Sequence, residues 1–195
     1  MIMRSLVAAL VVCLALSGAT AMAVEEPPFR LVSRDGDFEV RDYPALVVAE
    51  AEVPGDRDAA ASAGFRRLAG YIFGGNARRR SIAMTAPVIP APAGAGSAAR
   101  WTIRFTMPAG STLETLPRPD DPDIRLTVRE PARYAVVRFS GLAYPQDVAR
   151  QTERLEAFAR ARGLRAEGAP SLARYDPPWT LWFLRRNEVM IPIGR

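Results

Sequence analysis

The residues available for chemistry in this 195-residue chain are defined first by what is missing. There is no histidine, every one of the 26 basic residues is an arginine, and Cys13 is the only cysteine. Ser-His-Asp and Cys-His relays, lysine Schiff bases, histidine-ligated zinc and histidine-ligated haem are therefore closed to it. Asp, Glu, Tyr, Ser, Thr, Met and Arg remain. Carboxylates such as Glu39 and Glu188 can serve as acid or base, yet no two carboxylates stand in a recognisable catalytic arrangement. The residue types point away from an enzyme.

Residues 1–23 read as a cleavable secretory signal. Arg4 is the only charge before Glu25, an apolar run extends from Leu6 to Leu16, and the segment closes on Ala21-Met22-Ala23. The run is too short for a membrane span, which needs about 20 apolar residues. Val12 stands before Cys13, where a lipoprotein signal would need a small residue. Cleavage is expected after Ala23, with export to the periplasm or outside and no membrane anchor afterwards. The remainder, 24–195, has the length of one domain and is expected to be monomeric. Without Cys13 it has no disulfide and no thiolate ligand. Loss of Arg4 takes the formal charge from +5 to +4, a mild excess. Arg78-Arg79-Arg80, its densest run, reads as a solvated loop, and no nucleic-acid-binding module is present.

The elements that must position these side chains follow from periodicity. Phe29 to Val53 reads as strands: Phe38, Val40 and Val47 alternate with charged neighbours, and Gly36 marks a turn. A helix follows, capped by Asp56 or Asp58. Ala61, Phe65, Leu68 and Ile72 lie on one face, and Gly74-Gly75 ends it. Ile82 to Ile89 predicts a strand broken at Pro87, Ala91 to Ala99 a loop, and Trp101 to Phe105 a strand. Leu116 to Pro122 reads as an irregular connection. Ile124 to Val128 and Tyr134 to Phe139 are further strands. A second helix runs from about Pro145 to Arg162, with Val148, Thr152, Leu155 and Ala159 inward. Strands around Leu172 to Tyr175 and Glu188 to Ile193 complete the chain. Strand–strand–helix–strand–strand thus occurs twice, an α+β arrangement suggestive of duplication.

Four segments resemble the SOUL/haem-binding protein family. They are Glu39-x-Arg41-x-Tyr43; Tyr71-Ile72-Phe73-Gly74-Gly75-Asn76 with Met84-Thr85-Ala86-Pro87-Val88; Phe139-Ser140-Gly141; and Tyr175-Asp176-Pro177-Pro178 with Arg185-Arg186-Asn187-Glu188-Val189. They span nearly the whole chain after residue 23. The resemblance implies a distorted antiparallel β-barrel of two similar halves, with the two main helices packed outside. It also implies reversible binding of haem or another porphyrin, as ligand rather than catalytic cofactor, in an apolar groove beside the first helix. No axial histidine is required.

A porphyrin is a flat apolar disc with carboxylates on one edge, so it calls for an apolar wall, aromatic faces and cations at the rim. The expected site combines Phe65, Leu68 and Tyr71 of the first helix, with Arg67, and Tyr175, Trp179, Trp182, Phe183 and Arg185 of the last loop. If iron is ligated, the donors are Tyr71, Tyr175 or Met84. Where some members of the family carry basic side chains, this chain holds Gly70 and Thr180. Phe65, Leu68, Met84 and Thr85 equally suit a packed core, and Arg185, Arg186 and Glu188 suit an ion-pair network with Glu39. The expected function is an exported haem or porphyrin buffer or carrier. Alternatives are a small-ligand sensor or interaction domain of gyrase-inhibitor-like architecture and, further off, a tetrapyrrole-modifying enzyme.

Overall fold

Alternation along the first strands becomes alternation of burial. The computed structural model describes residues 24–92, 100–176 and 180–194; the expected signal at 1–23 and Trp179 lie outside the described residues. Strands β1 (Arg30–Asp35) and β2 (Phe38–Tyr43) form a hairpin turned at Gly36, whose φ of +57° is left-handed. Val40 points into the apolar cluster under the second helix, while Tyr43, on the other phase, joins a cluster on the opposite face.

Strand β3 (Leu46–Pro54) leads into helix α1 (Arg57–Ile72). Asp56 caps it, accepting the Ala59 N–H at 2.9 Å. The buried ridge is Ala60, Gly64, Leu68 and Ile72, at spacings of four. Phe65, expected inward, is 39% exposed and lies on the flank, edge-on to Phe105 at 5.4 Å. Small residues at 60 and 64 cause this. They bring α1 so close to the sheet that a Cβ on Gly64 would stand 2.3 Å from Cγ1 of Ile103. The helix ends as expected, with Gly74 at φ +110°.

The expected strand from Ile82 to Ile89 is shorter and later, as β4 (Ile89–Pro92). The preceding stretch makes only single bridges, Ser81 to Phe73, Thr85 to Glu25 and Val88 to Arg174. Pro87 has no N–H to give a ladder. Then come β5 (Arg100–Thr106), β6 (Ile124–Arg129), β7 (Ala132–Ser140), helix α2 (Pro145–Ala161), β8 (Ser171–Arg174) and β9 (Arg186–Ile193). Helix α2 buries Gln151, Leu155 and Ala159.

All strand pairs are antiparallel, in two sheets ordered β1-β2-β7-β9-β8 and β4-β5-β3-β6. The fold is α+β, with α1 packed on β3 and β5 and α2 on β7 and β9. The two orders correspond: β4-β5-β3-β6 matches β8-β9-β7-β2, with β1 added outside β2. Duplication is thus visible as a pseudo-two-fold arrangement. The first strand of each half, β2 or β6, pairs with the other half's second strand. The Val88–Arg174 bridge joins β4 to β8 near that axis.

Candidate functional site

The charged motif residues assemble first, on the face of the five-stranded sheet turned away from α2. Arg41 is 2% exposed. Its Nε donates to Glu39 at 2.6 Å, its Nη1 and Nη2 to Glu188 at 2.8 and 2.9 Å, and its Nη1 also to the Tyr43 hydroxyl at 3.2 Å. The Tyr43 hydroxyl is therefore held by Arg41. Arg34 donates to Glu39, and the Tyr175 hydroxyl donates to Glu188 at 2.6 Å. Arg186 stacks on the Tyr175 ring at 3.6 Å. The ion-pair network anticipated around Glu39 and Glu188 is this one.

Its electrostatics are those of a scaffold. Burial alone raises the Glu39 pKa, but bonds from Arg41 and Arg34 outweigh it and hold the carboxyl below its ordinary range. Glu39 carries no proton to donate near neutrality. Burial first, and the Glu188 charge next, push the Tyr175 phenol far above its usual value. Burial pushes Tyr71 up to about 12, and its hydroxyl donates to the Pro117 carbonyl at 2.9 Å. A metal takes tyrosine as phenolate, whereas both candidate tyrosines spend their hydroxyl protons on acceptors, Tyr71 on Pro117 and Tyr175 on Glu188. Met84 packs on the core around α1. This donor set does not fit iron ligation, whereas it leaves capture by apolar contact open.

The apolar surface lies in the loop before β9. Leu181, Trp182, Phe183 and Leu184 are each more than half exposed. They form a 3-10 turn, with the Leu184 N–H donating to the Leu181 carbonyl at 2.9 Å and Trp182 edge-on to Phe183 at 5.6 Å. The Arg185 Nε donates to the Thr180 carbonyl at 2.8 Å. The turn is tied to the end of β7. The Gly141 N–H donates to the Arg185 carbonyl at 3.2 Å, and the Asn187 amide donates to the Gly141 carbonyl at 2.9 Å. Just beyond, Ala143 has a φ of +54°, uncommon without glycine, and is flanked by exposed Leu142 and Tyr144. A pocket of about 430 Å3 opens here, walled by Leu142 to Pro145, Val148, Arg174 and, at the start of α1, Asp56.

The start of α1 at Asp56 therefore shares a pocket with the segment after β7, and the expected groove along the length of α1 is not what these residues form. Leu68 and Tyr71 are at most 1% exposed and belong to the core under α1. The apolar face that suggested them for a groove is spent on packing. Phe65 lies over Phe105, and Arg67 pairs with Asp123 at 2.5 Å. Tyr175 sits under Arg186. Trp182, Phe183 and Arg185 share the exposed turn. Leu142, Tyr144, Leu181 and Leu184 join them and carried no signal, since isolated apolar residues near glycine or proline have no period. Asn76, wholly buried, donates to the Tyr71 and Arg80 carbonyls and accepts from the Arg78 and Arg80 N–H groups, shaping the loop after α1.

A second pocket, about 250 Å3, lies between the sheets on the pseudo-two-fold axis. Tyr43, Ile89, Tyr134 and Met190 form its apolar wall, with Arg104 and Arg129 also lining it.

Comparisons with known proteins bear on the family and the fold. The profile of the family described as SOUL heme-binding protein matches residues 24–192. Heme-binding protein 2 of Homo sapiens is 30% identical over 186 residues, covering 87% of this chain and 90% of that protein. Heme-binding protein 2 of Mus musculus is 28% identical over 187 residues, with 88% and 91% covered. An uncharacterized conserved protein from Listeria innocua has a similar structure, with a TM-score of 0.63 at 12% identity, over 81% of this chain and 92% of that one. At that identity the likeness speaks for the fold alone.

Proposed function

We propose that this chain, which belongs to the SOUL heme-binding protein family, holds its tetrapyrrole reversibly on the surface formed by Leu181–Leu184 and Leu142–Tyr144. Family membership supports binding of haem or a related tetrapyrrole. The observation that carries the location is the row of four large apolar side chains, each more than half exposed yet fixed by backbone bonds to β7. Such a row is costly in water unless something covers it. Arg174 in the adjoining pocket and Arg185 at the end of the turn supply guanidinium groups at its rim.

Contact is sufficient for useful affinity. Covering about 300 Å2 of ring at about 25 cal/mol per Å2 gives roughly 7 kcal/mol before ordering costs. Two charge-assisted carboxylate contacts add about 1.5–3 kcal/mol each, which reaches micromolar binding without an iron ligand. The tetrapyrrole is then a cargo that exchanges, and the protein a monomeric buffer or carrier that performs no turnover. The composition of residues 1–23 supports its export to the periplasm or outside. The two sheets, joined at Val88 and Arg174, are our reading of the distorted barrel.

Titration with haemin and with iron-free protoporphyrin, followed by the Soret band, tests the proposal. Equal affinities are expected. Strict dependence on iron would sink capture by contact, and conversion of haem to free porphyrin would place the protein among enzymes.

A second reading has its own observation, the pocket on the pseudo-two-fold axis. Its tyrosines and Arg129 suit a small apolar ligand with one anionic group, while Arg104 is held by Glu50 and Glu130 also lines the pocket. An apolar dye that binds equally well before and after Trp182→Ala supports it.

A further inference from the structure

The arginines are unevenly matched with carboxylates. Among the described residues, Arg66, Arg78, Arg79, Arg80, Arg118 and Arg129 enter no ion pair, whereas most of the others do. All but Arg129 lie in the last two turns of α1 or in the loops that meet at its end.

That end of the molecule is firmly built. The Phe73 N–H donates to the Ala69 carbonyl at 2.9 Å, so Phe73 continues the helical path and shares a face with Arg66, seven residues earlier. Phe73 also bridges to Ser81, the neighbour of Arg80. The Ala77 N–H donates to the Arg118 carbonyl at 2.9 Å, which brings Arg118 beside the run. Arg79 donates its N–H to the Asn76 carbonyl at 2.8 Å and takes a φ of +48°, a conformation that asparagine or glycine adopts more readily. Buried Asn76 bonds the backbone of Arg78 and Arg80, so three exposed guanidiniums start from fixed positions. The Arg78 side chain touches only the Thr115 carbonyl, at 3.5 Å. Asp120 and Glu114 are the carboxylates of the adjoining connection. Asp120 joins through its N–H to the Gly75 carbonyl, Glu114 is bonded by Thr112, and neither pairs with these arginines.

Phe73 is 65% exposed, more than any other large apolar side chain among the described residues. Singly exposed apolar residues are common; one set among unmatched, rigidly placed cations is a different surface. Guanidiniums suit phosphate. A nucleic-acid duplex asks for a recognisable module that enters a groove, and none is present. A lipid surface asks only for cations at headgroup level and an apolar tip that goes deeper.

We propose that the end of α1 docks reversibly on an anionic phospholipid surface, with Arg78, Arg79, Arg80 and Arg118 on the headgroup phosphates and Phe73 in the interface. The contact is peripheral, with no spanning segment. It stands apart from the tetrapyrrole reading, and each can fail without the other.

The test is cosedimentation of the purified protein with vesicles of phosphatidylcholine alone and with one-third phosphatidylglycerol. Wild type should bind the anionic vesicles, less so as salt is raised, and leave the neutral ones. The triple variant Arg78→Gln, Arg79→Asn, Arg80→Gln should lose about a hundredfold, about fivefold for each arginine near the surface. Asparagine at 79 keeps the left-handed turn, and thermal melting verifies folding. Phe73→Ser should lose about tenfold. Removing the same charge elsewhere, with Arg150→Gln, Arg160→Gln and Arg165→Gln, should leave affinity within about threefold. Binding without preference for the anionic lipid, no binding, or equal loss in the two triple variants overturns the proposal. So does loss at Trp182→Ala with the loop variants unchanged, or arginine-dependent binding of a DNA oligonucleotide with none to vesicles.

Discussion

Arg41 and Glu188 are 147 residues apart in the chain and meet in a two-pronged pair, Nη1 to Oε2 at 2.8 Å and Nη2 to Oε1 at 2.9 Å. They stand on β2 and β9, which flank β7, so the pair clasps the sheet across its central strand. Both side chains are almost wholly buried. Pairing of this kind gives little net stability over an apolar substitute, but stranding one partner is costly. Glu188→Ala should therefore destabilise the protein by about 3–5 kcal/mol. The double change Arg41→Met with Glu188→Leu should recover part of that loss, the rest falling on buried Glu39, which keeps Arg34 as its short-range partner. Urea unfolding of the three proteins checks it, and equal destabilisation by the single and double changes would show that the clasp does not act as a pair.

Acid should loosen the same sheet. Bonds from Arg133 chiefly, with Arg30, hold the Asp42 carboxyl at about 2, and Glu39 also titrates below its ordinary range. Folded-state values below the unfolded ones give stability that is full above the unfolded carboxylate pKa, about 4, and is lost as pH falls toward the folded values. Melting temperature should hold from pH 7 to about 5 and drop between about pH 4 and 2. The drop should be shallower in Asp42→Asn. An Asp42→Asn profile parallel to wild type would contradict the assignment.

Two glycines of α1 should respond with opposite sign. A methyl group at Gly64 meets Ile103, whereas at Gly70 nothing lies within 4 Å. Gly64→Ala should cost about 1–3 kcal/mol by overpacking. Gly70→Ala should gain up to about 1 kcal/mol through helix propensity. Chemical denaturation of both decides whether close approach of α1 to β5 accounts for the turned-out Phe65.

These positions also mark what the sequence could convey. Period-2 and helical spacing located most strands and both helices, because each buries one face. They misjudged where one helix face lies: Gly64 has no side chain to register in a pattern, yet it sets how α1 sits and so sends Phe65 outward. Leu68 and Tyr71 looked usable by a ligand because a core-facing and a ligand-facing stripe have the same spacing. Arg186 and Glu188 were legible as members of a network with Glu39, Arg185 instead donates to the Thr180 carbonyl, and the role of Arg41 at the centre needed β2 and β9 to be brought beside β7. The exposed turn was half legible, through Trp182 and Phe183. Leu142 and Tyr144 come to it only through the Gly141–Arg185 bond, which joins segments distant in sequence.

The rim of the site can be located by charge reversal. Arg67 pairs with Asp123 and lies one turn from the end of α1. Arg67→Glu should leave haemin affinity within about twofold at about 0.1 M salt, because Arg67 stands about 16 Å along the helix from Asp56, the end of α1 that borders the apolar pocket, beyond the roughly 10 Å screening length. A tenfold, salt-dependent loss would return the groove to the length of α1.

The most direct measurement is the affinity of haemin for wild type, Trp182→Ala, Phe183→Ala and Phe65→Ala, followed by the Soret band. Exposed side chains can be removed without unfolding the protein, so changes in affinity report the surface itself. Loss of tenfold or more at Trp182 and Phe183, about 1.4 kcal/mol each, with no change at Phe65, is the predicted result. Undiminished binding by the Trp182 and Phe183 variants would contradict it.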